Sequence, residues 1–301
     1  MKKLKRKSID SEVRTGLIML TPFLVLFFIF TILPIISSVY LSFCNYDMIS
    51  SPKFSGLSNY IKMFGRDDMF PIVLKNTLIL AIVTGPIGYL LSFTLAWMIN
   101  ELNRGMRTLL SFLFYAPALS TNVYFIWQVL FSGDSYGYIN SALLSLGLVT
   151  EPIQWFKSSQ YVMPIVIIVQ LWMSMGVSFL ANISGLQNVN EELYEAGCID
   201  GIRNRWAELW YITLPSMKSI LLFGAVMQIQ TSFSIGAVVT ALAGFPSINY
   251  SVDTLVTLIS DVGTSRYEMG YAAALSVFLF SMMAVARVVI GKLVDSIGGK
   301  E

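Results

Sequence analysis

Histidine is absent from the 301 residues, and only two cysteines occur, Cys44 and Cys198. Imidazole acid–base catalysis and histidine-ligated metal sites are therefore excluded. No Gly-x-x-x-x-Gly-Lys-Ser/Thr phosphate loop occurs either; Gly291-Lys292 lacks both the upstream glycine and the following hydroxyl. Neither a catalytic residue, a cofactor nor a metal is expected. The polar chemistry that remains falls into two groups. One is a compact island, Glu195-Ala196-Gly197-Cys198-Ile199-Asp200-Gly201 and then Ile212-Thr213-Leu214-Pro215, lying between two long apolar segments. The other is a scatter of amides, a hydroxyl and rings in apolar surroundings: Asn122, Tyr124, Trp127, Gln128, Gln170, Trp172, Asn182, Gln228, Gln230 and Ser232. Amides beside rings suit a solute that presents hydroxyls and apolar faces. They also suit hydrogen bonding between packed helices.

The elements that carry these groups are set by the solvent. Hydrophobic residues make up 55% of the chain and charged residues 13%, with a mean hydropathy of +0.68. Soluble domains carry about 25% charged residues. The apolar residues run in long stretches, which predicts an all-α polytopic membrane protein with spans at 17–44, 71–99, 107–131, 160–186, 217–241 and 269–293. Each exceeds the roughly 20 residues that cross about 30 Å of hydrocarbon. Pro22, Pro34, Pro86, Pro117 and Pro164 lie in or at the ends of these spans, where neighbouring helices can satisfy the freed carbonyls. The first apolar run is too long for a signal-peptide core and ends in no small-residue cleavage site, so it reads as a retained helix.

Orientation follows from lysine and arginine. With the N-terminus inside, fourteen of the 20 basic residues lie on the cytoplasmic side, among them Arg104, Arg107, Arg203, Arg205, Lys218, Arg287 and Lys292. Both termini and the 187–216 loop are then cytoplasmic. Cys44 and Cys198 fall on opposite sides and should not pair. Residues 1–16 form a basic tail, 17–294 one membrane domain, and 295–301 a short tail.

Within the 187–216 loop, Asn190 is a helix N-cap, and Glu191 and Glu192 stand in the first turn, where the helix dipole favours acid. Asp200-Gly201 breaks this helix. Trp206, Leu209, Trp210 and Thr213 then fall at i, i+3, i+4 and i+7, predicting a second amphipathic helix ended by Pro215. The unit reads as a helix–turn–helix along the membrane face, which suits either a docking element for another protein or an amphipathic interfacial connector between spans.

Glu195-Ala196-Gly197-x-x-Asp200-Gly201-x(10)-Ile212-x-Leu214-Pro215 resembles the EAA loop of binding-protein-dependent ABC importer permeases. Gly56-Leu57 with Asn59-Tyr60, Asn76-Thr77, Tyr138-Ile139-Asn140, Trp172, Gly176, Leu186-Gln187, Gly244-x-Pro246 with Thr254, and Tyr267-x-x-Gly270-Tyr271 are similar to elements of the maltose-type sugar branch. The resemblance runs from about residue 17 to about 293. It implies a type I ABC importer permease fold in a bacterial cell membrane. It also implies a second, similar permease, a cytoplasmic ATPase dimer that supplies the energy, and an extracytoplasmic solute-binding protein. The solute it implies is a sugar or oligosaccharide. Glu195, Ala196, Gly197, Asp200, Gly201, Leu214 and Pro215 would form the coupling element, with Glu195 in a charged contact to the ATPase and Gly201 in the sharp turn. In the maltose-type pair only one permease contacts the sugar. The chain departs from the pattern at Gly197 and Ile202, where alanines are usual, and at Ser219; Gly197 is expected to loosen its helix by about 1 kcal/mol. An ion-gradient-driven carrier is the alternative class, and it calls for ionisable groups in mid-span that the sequence lacks. No feature points to nucleic acid.

Overall fold

A computed structural model describes residues 2–120 and 123–297 of the chain, so Asn122 lies outside the described residues. Helices dominate, and the chain divides into two compact units: Met1–Gly65 with Asp261–Val277, and Arg66–Ser260 with Phe278–Glu301.

In the first unit, helix Lys2–Phe27 passes through a wide turn at Phe28–Ile32 into helix Leu33–Ser42. Pro34 follows that turn by two residues and cannot donate to the carbonyl four residues back. The wider turn absorbs the mismatch. The apolar side chains of Val13–Ser42 remain largely exposed, as lipid-facing residues should. Beyond it, Cys44–Asn45 pairs antiparallel with Lys53–Phe54, and helix Ser58–Gly65 returns to cap the long helix. Asn59 Nδ2 donates to the carbonyls of Ser42 and Cys44 at 2.9 Å each, and Tyr60 donates to Ser42 Oγ at 2.9 Å. One amide thus satisfies the Ser42 carbonyl, one of the four that a helix end leaves orphaned, and the Cys44 carbonyl just beyond it. Lys62 pairs with Glu268 and covers the Tyr271 ring.

The second unit is built on helices Met69–Asn100, Val177–Gln187 and Lys218–Phe233, which pack against one another. One apolar cluster joins Leu80, Val162, Val166, Val169, Val238 and Val239. A second joins Ala96, Ile99, Phe179, Ile183, Leu186 and Met217 nearer the basic end. Crossings are close because glycines meet side chains directly. A Cβ on Gly224 would lie 3.0 Å from Ser178 Oγ.

Among the described residues, five helices or helix pairs are long and apolar enough to cross a membrane: Val13–Ser42, Met69–Asn100, Val162–Gln187, Lys218–Ala243 and Met269–Lys292. The sequence expectation of one continuous helix over 107–131 is corrected. This segment comprises the two helices Arg104–Leu119 and Tyr124–Leu130, and only together do they make a sixth span. The fourth and fifth spans are also interrupted, at Ser174–Gly176 and at Ser234–Gly236. The 242–268 segment, between the last two predicted spans, contains an apolar helix at Leu255–Ser265; Leu255, Leu258 and Val262 are fully buried.

Between the third and fourth spans, Asn140 organises the 132–157 loop. It donates to the carbonyls of Ser132, Asp134 and Ile153 and accepts from Ile153 N and Trp155 Nε1, all within 3.0–3.2 Å. The residue is fully buried. Asn140→Ala strands two donors and three acceptors, each at about 1–3 kcal/mol if left unsatisfied. Partial rewetting will reduce the sum, and a loss of about 3 kcal/mol is expected, read as a lower unfolding midpoint in detergent.

Candidate coupling site and solute path

The island forms an elbow. Helix Glu191–Ile199 is capped as its sequence predicts, with Asn190 Oδ1 accepting from Glu192 N at 3.1 Å. Gly201 ends it at φ +91, a conformation that side-chain-bearing residues rarely enter. Glu195, Ala196, Cys198, Ile199 and Asp200 are all exposed, and Ile199 reaches 88%. Gly197 alone on this helix is buried, and it faces inward: a Cβ there would stand 2.6 Å from Ile212 Cδ1. The glycine is a packing contact as well as a helix weakener. Alanine would gain about 1 kcal/mol of propensity and must push one terminal methyl aside, so Gly197→Ala is expected to be nearly neutral. Gly197→Leu forces the two arms of the elbow apart and is expected to abolish transport.

The second arm differs from the expected amphipathic helix. Helix Arg205–Glu208 widens into a turn of larger pitch over Leu209–Thr213, then short helix Leu214–Ser216 leads into the fifth span. The wider turn again ends two residues before a proline, Pro215, and Ser216 Oγ donates to the Ile212 carbonyl at 2.7 Å. The widening changes which residues point inward. Leu209, Ile212 and Thr213 are buried, whereas Trp206 and Trp210 are 66% and 61% exposed. Pro215 stands in the first turn of the short helix Leu214–Ser216, and Leu214 is half-buried.

A cleft of about 470 Å³ lies where the elbow meets the second span, lined in part by Trp97, Asn100, Glu101, Tyr194 and Arg205. Arg205 bridges Glu101 and Glu208 at 2.8 Å each. The hydrogen bond to Glu208 and the nearby Glu101 charge raise the guanidinium above its ordinary value. Tyr194 and Thr213 hydroxyls lie 2.9 Å apart, tying the first arm to the second, and Trp97 packs on Trp206 at 5.2 Å. Arg205 is 64% exposed, and exposed pairs contribute about 0.2–1 kcal/mol. These bridges fix the elbow's direction more than its stability. Arg205→Ala is expected to cost less than about 1 kcal/mol of stability while lowering transport, a split that paired thermal and uptake measurements would show.

The intramembrane polar residues separate by what they touch. Gln170 donates to the Thr231 carbonyl and Gln228 to the Thr84 carbonyl, both at 3.3 Å; these bonds tie helix to helix. Ser232 bonds back to the Ile229 carbonyl of its own helix. Gln128 donates to the Ala241 carbonyl. Trp127 stacks on Phe131 and meets Trp172 edge-on at 5.4 Å, with Tyr124 packed against the same cluster. Gln230 is exposed and, with Met173, Thr231 and Ser234, borders a cavity of about 250 Å³ at the two helix breaks. Asn182 is fully buried, and neither of its amide atoms has a partner among the described residues.

The 244–254 segment is clamped onto the second span. Asn76 Nδ2 donates to the carbonyls of Tyr250 and Asp253 at 2.8 and 3.0 Å, and Thr77 Oγ1 accepts from Leu255 N at 2.9 Å. Thr254 donates to the Ile235 carbonyl at 2.8 Å, beside the break in the fifth span. Asp253 accepts from Ser247 N, and burial raises its carboxyl above the usual carboxylate range.

Comparison with known proteins decides the family. The arabinooligosaccharides transport system permease protein AraP of Bacillus subtilis is 30% identical over 281 residues, covering 93% of this chain and 88% of that protein. The chain belongs to the sugar-transport branch of the ABC importer permeases. Lactose transport system permease protein LacF of Rhizobium radiobacter is 29% identical over 276 residues, 90% of each chain. Probable ABC transporter permease protein YesP of Bacillus subtilis is 27% identical over 297 residues, covering 96% of this chain and 93% of that one. No family model matches. Among solved structures, a bacterial ABC transporter that imports the acidic polysaccharide alginate superimposes with a TM-score of 0.74 at 23% identity, over 99% of this chain and 100% of that one. A bacterial alginate ABC transporter in complex with an alginate pentasaccharide-bound periplasmic protein gives 0.76 at 22% identity, over 99% of this chain and 98% of that one. The permease is thus an all-α integral protein of the cell membrane and a transport subunit, not an enzyme.

Two features of the permease escaped sequence reasoning. The cleft beneath the elbow depends on Glu101, which carries no motif of its own. The Asn76–Thr77 clamp joins two sequence elements, each visible singly, across about 170 residues of chain; their partnership has no local signature.

Proposed function

We propose that the permease forms half of the solute path of an ATP-driven, binding-protein-dependent importer for a sugar or oligosaccharide. A second, similar permease supplies the other half, a cytoplasmic ATPase dimer supplies the energy, and an extracytoplasmic binding protein delivers the solute. The helix Glu191–Ile199 seats in the ATPase, with Glu195 offering the charged contact and Gly201 holding the turn. Leu214 and Pro215 pass the motion into the fifth span.

One observation carries this reading. The elbow exposes an acidic and apolar ridge of Glu195, Ala196 and Ile199 on one side, while its other side is packed through Gly197 onto Ile212. A lever needs such a division: one face for a partner and a rigid link to the body that moves. Along the path, Tyr124, Trp127, Trp172 and Gln230 offer rings and an amide near the helix breaks, while Gln128, Gln170, Gln228 and Ser232 are held in bonds to backbone carbonyls. The relatives' solutes, arabinooligosaccharides and lactose, suit the same chemistry.

Cys198 is free and exposed on the elbow, and Cys44 is free and buried. A bismaleimide linker should therefore join Cys198 to a cysteine placed in the ATPase groove. The expected result is a crosslinked permease–ATPase band whose yield changes with nucleotide. Absence of that band, with both proteins present in the membrane, would overturn the docking assignment.

A further inference from the structure

Arg287 stands in the last helix, Met269–Ile297, inside the stretch apolar enough to span a membrane. Among the described residues no ion pair or hydrogen bond engages its side chain. It faces a groove of about 360 Å³ whose other walls include Leu222, Phe223, Val226, Ile290 and Gly291. The groove is apolar except for the guanidinium, and at Gly291 nothing lies within 4 Å of where a Cβ would be, so the glycine keeps its mouth open. Lys218 begins the facing helix one turn before Leu222, and Lys292 follows Arg287 by five residues, about 7.5 Å along the axis at 1.5 Å per residue. The groove therefore opens at the basic, cytoplasmic end of both helices.

We infer that this groove binds an anionic phospholipid of the cytoplasmic leaflet, with the phosphate on Arg287 and an acyl chain along Leu222, Val226 and Ile290. An arginine within an apolar span carries an uncompensated charge, and it reaches the head-group level by extending along its own methylenes. The protein supplies no counter-charge among the described residues. The cytoplasmic leaflet does, because its surface is negative and basic grooves between helices there collect acidic head groups. The guanidinium fork matches phosphate oxygens two at a time, and the apolar walls match the chain that follows. The inference rests on the membrane-spanning reading of these helices, not on the identity of the imported solute.

The full-length permease in detergent, mixed with equal phosphatidylglycerol and phosphatidylcholine and examined by native mass spectrometry, provides the test. Wild type is expected to retain phosphatidylglycerol over phosphatidylcholine by about fivefold, the order set by one cation near an acidic surface. Arg287→Gln should lose that preference and Arg287→Lys should keep most of it. Val226→Trp, which fills the groove and leaves the charge, should lower retention of both lipids and serves if the glutamine variant folds poorly. Equal retention of the two lipids by wild type overturns the inference. So does an undiminished preference in Arg287→Gln. A third overturning result is an Arg287→Gln variant that sheds a co-purifying permease partner while its lipid preference stays that of wild type, which would give the groove to a protein contact.

Discussion

Replacing Gly201 by proline is expected to leave the permease in the membrane at normal abundance and to reduce uptake by about a hundredfold. Gly201 sits at φ +91 and its N–H donates to the Cys198 carbonyl at 3.3 Å. Proline holds φ near −65° and has no N–H, so the elbow cannot close as observed; the cost is about 3 kcal/mol or more, two decades in the population of the formed turn. No neighbour lies within 4 Å of a Cβ built there, so the loss is one of backbone conformation and not of crowding. Gly201→Asn separates the two, because asparagine enters the left-handed region more readily than other side-chain-bearing residues; it is expected to retain most uptake. In the assembled importer ATP hydrolysis should continue in Gly201→Pro while uptake fails. Normal uptake in that variant would remove the elbow from the coupling path.

The largest effect on folding is expected from Gly270→Ala. A Cβ at this position would fall far inside contact distance of the Cys44 carbonyl oxygen, and the Tyr46 amide nitrogen lies 3.2 Å away. Both obstacles are backbone, held by the ribbon Cys44–Asn45/Lys53–Phe54 and by Asn59, so neither can swing aside as a side-chain tip would. Gly270 N also donates to the Tyr46 carbonyl at 3.1 Å, and that bond stretches when the 44–46 segment is pushed off the helix. Overpacking of this kind costs about 3 kcal/mol, a fall in unfolding midpoint on the order of 6 °C for a chain of this size. Gly65→Ala is the control in the same unit, since no atom lies within 4 Å of its Cβ position; it should leave the midpoint unchanged. A wild-type midpoint in Gly270→Ala would show that the 44–46 segment does not press on the last helix in the protein.

Much of this could be read from residue types alone. Long apolar runs locate the spans because hydrocarbon imposes a minimum length, and Asn190 and Gly201 mark the ends of the elbow's first helix because caps and left-handed turns depend on local chemistry. The breaks at Ser174–Gly176 and Ser234–Gly236 were not legible, since single serines and glycines are tolerated inside membrane helices and the breaks depend on neighbours that satisfy freed backbone groups. Gly197 was read as a weak point in its helix; its contact with Ile212 is a property of the folded elbow. Of the stripe Trp206, Leu209, Trp210 and Thr213 expected on the second arm, Leu209 and Thr213 are buried, whereas the wider turn before Pro215 leaves both tryptophans exposed and buries Ile212. Asn182 illustrates the limit for the solute path. Its residue type suggests a role inside the membrane, but only its surroundings show an amide with no partner among the described residues. Asn182→Leu, which removes that unsatisfied group, is expected to raise the unfolding midpoint by the equivalent of about 1–3 kcal/mol.

The central claim is that energy enters this permease from an ATPase gripping the elbow between its fourth and fifth spans. Solute accumulation in proteoliposomes tests it most directly. The permease, its partner permease, the ATPase and the binding protein are reconstituted together, and each is then omitted in turn. The account predicts concentrative uptake only with the full set and ATP, and none when the permease carries Gly201→Pro. Accumulation by the permease alone, without nucleotide and driven by an ion gradient, would contradict it.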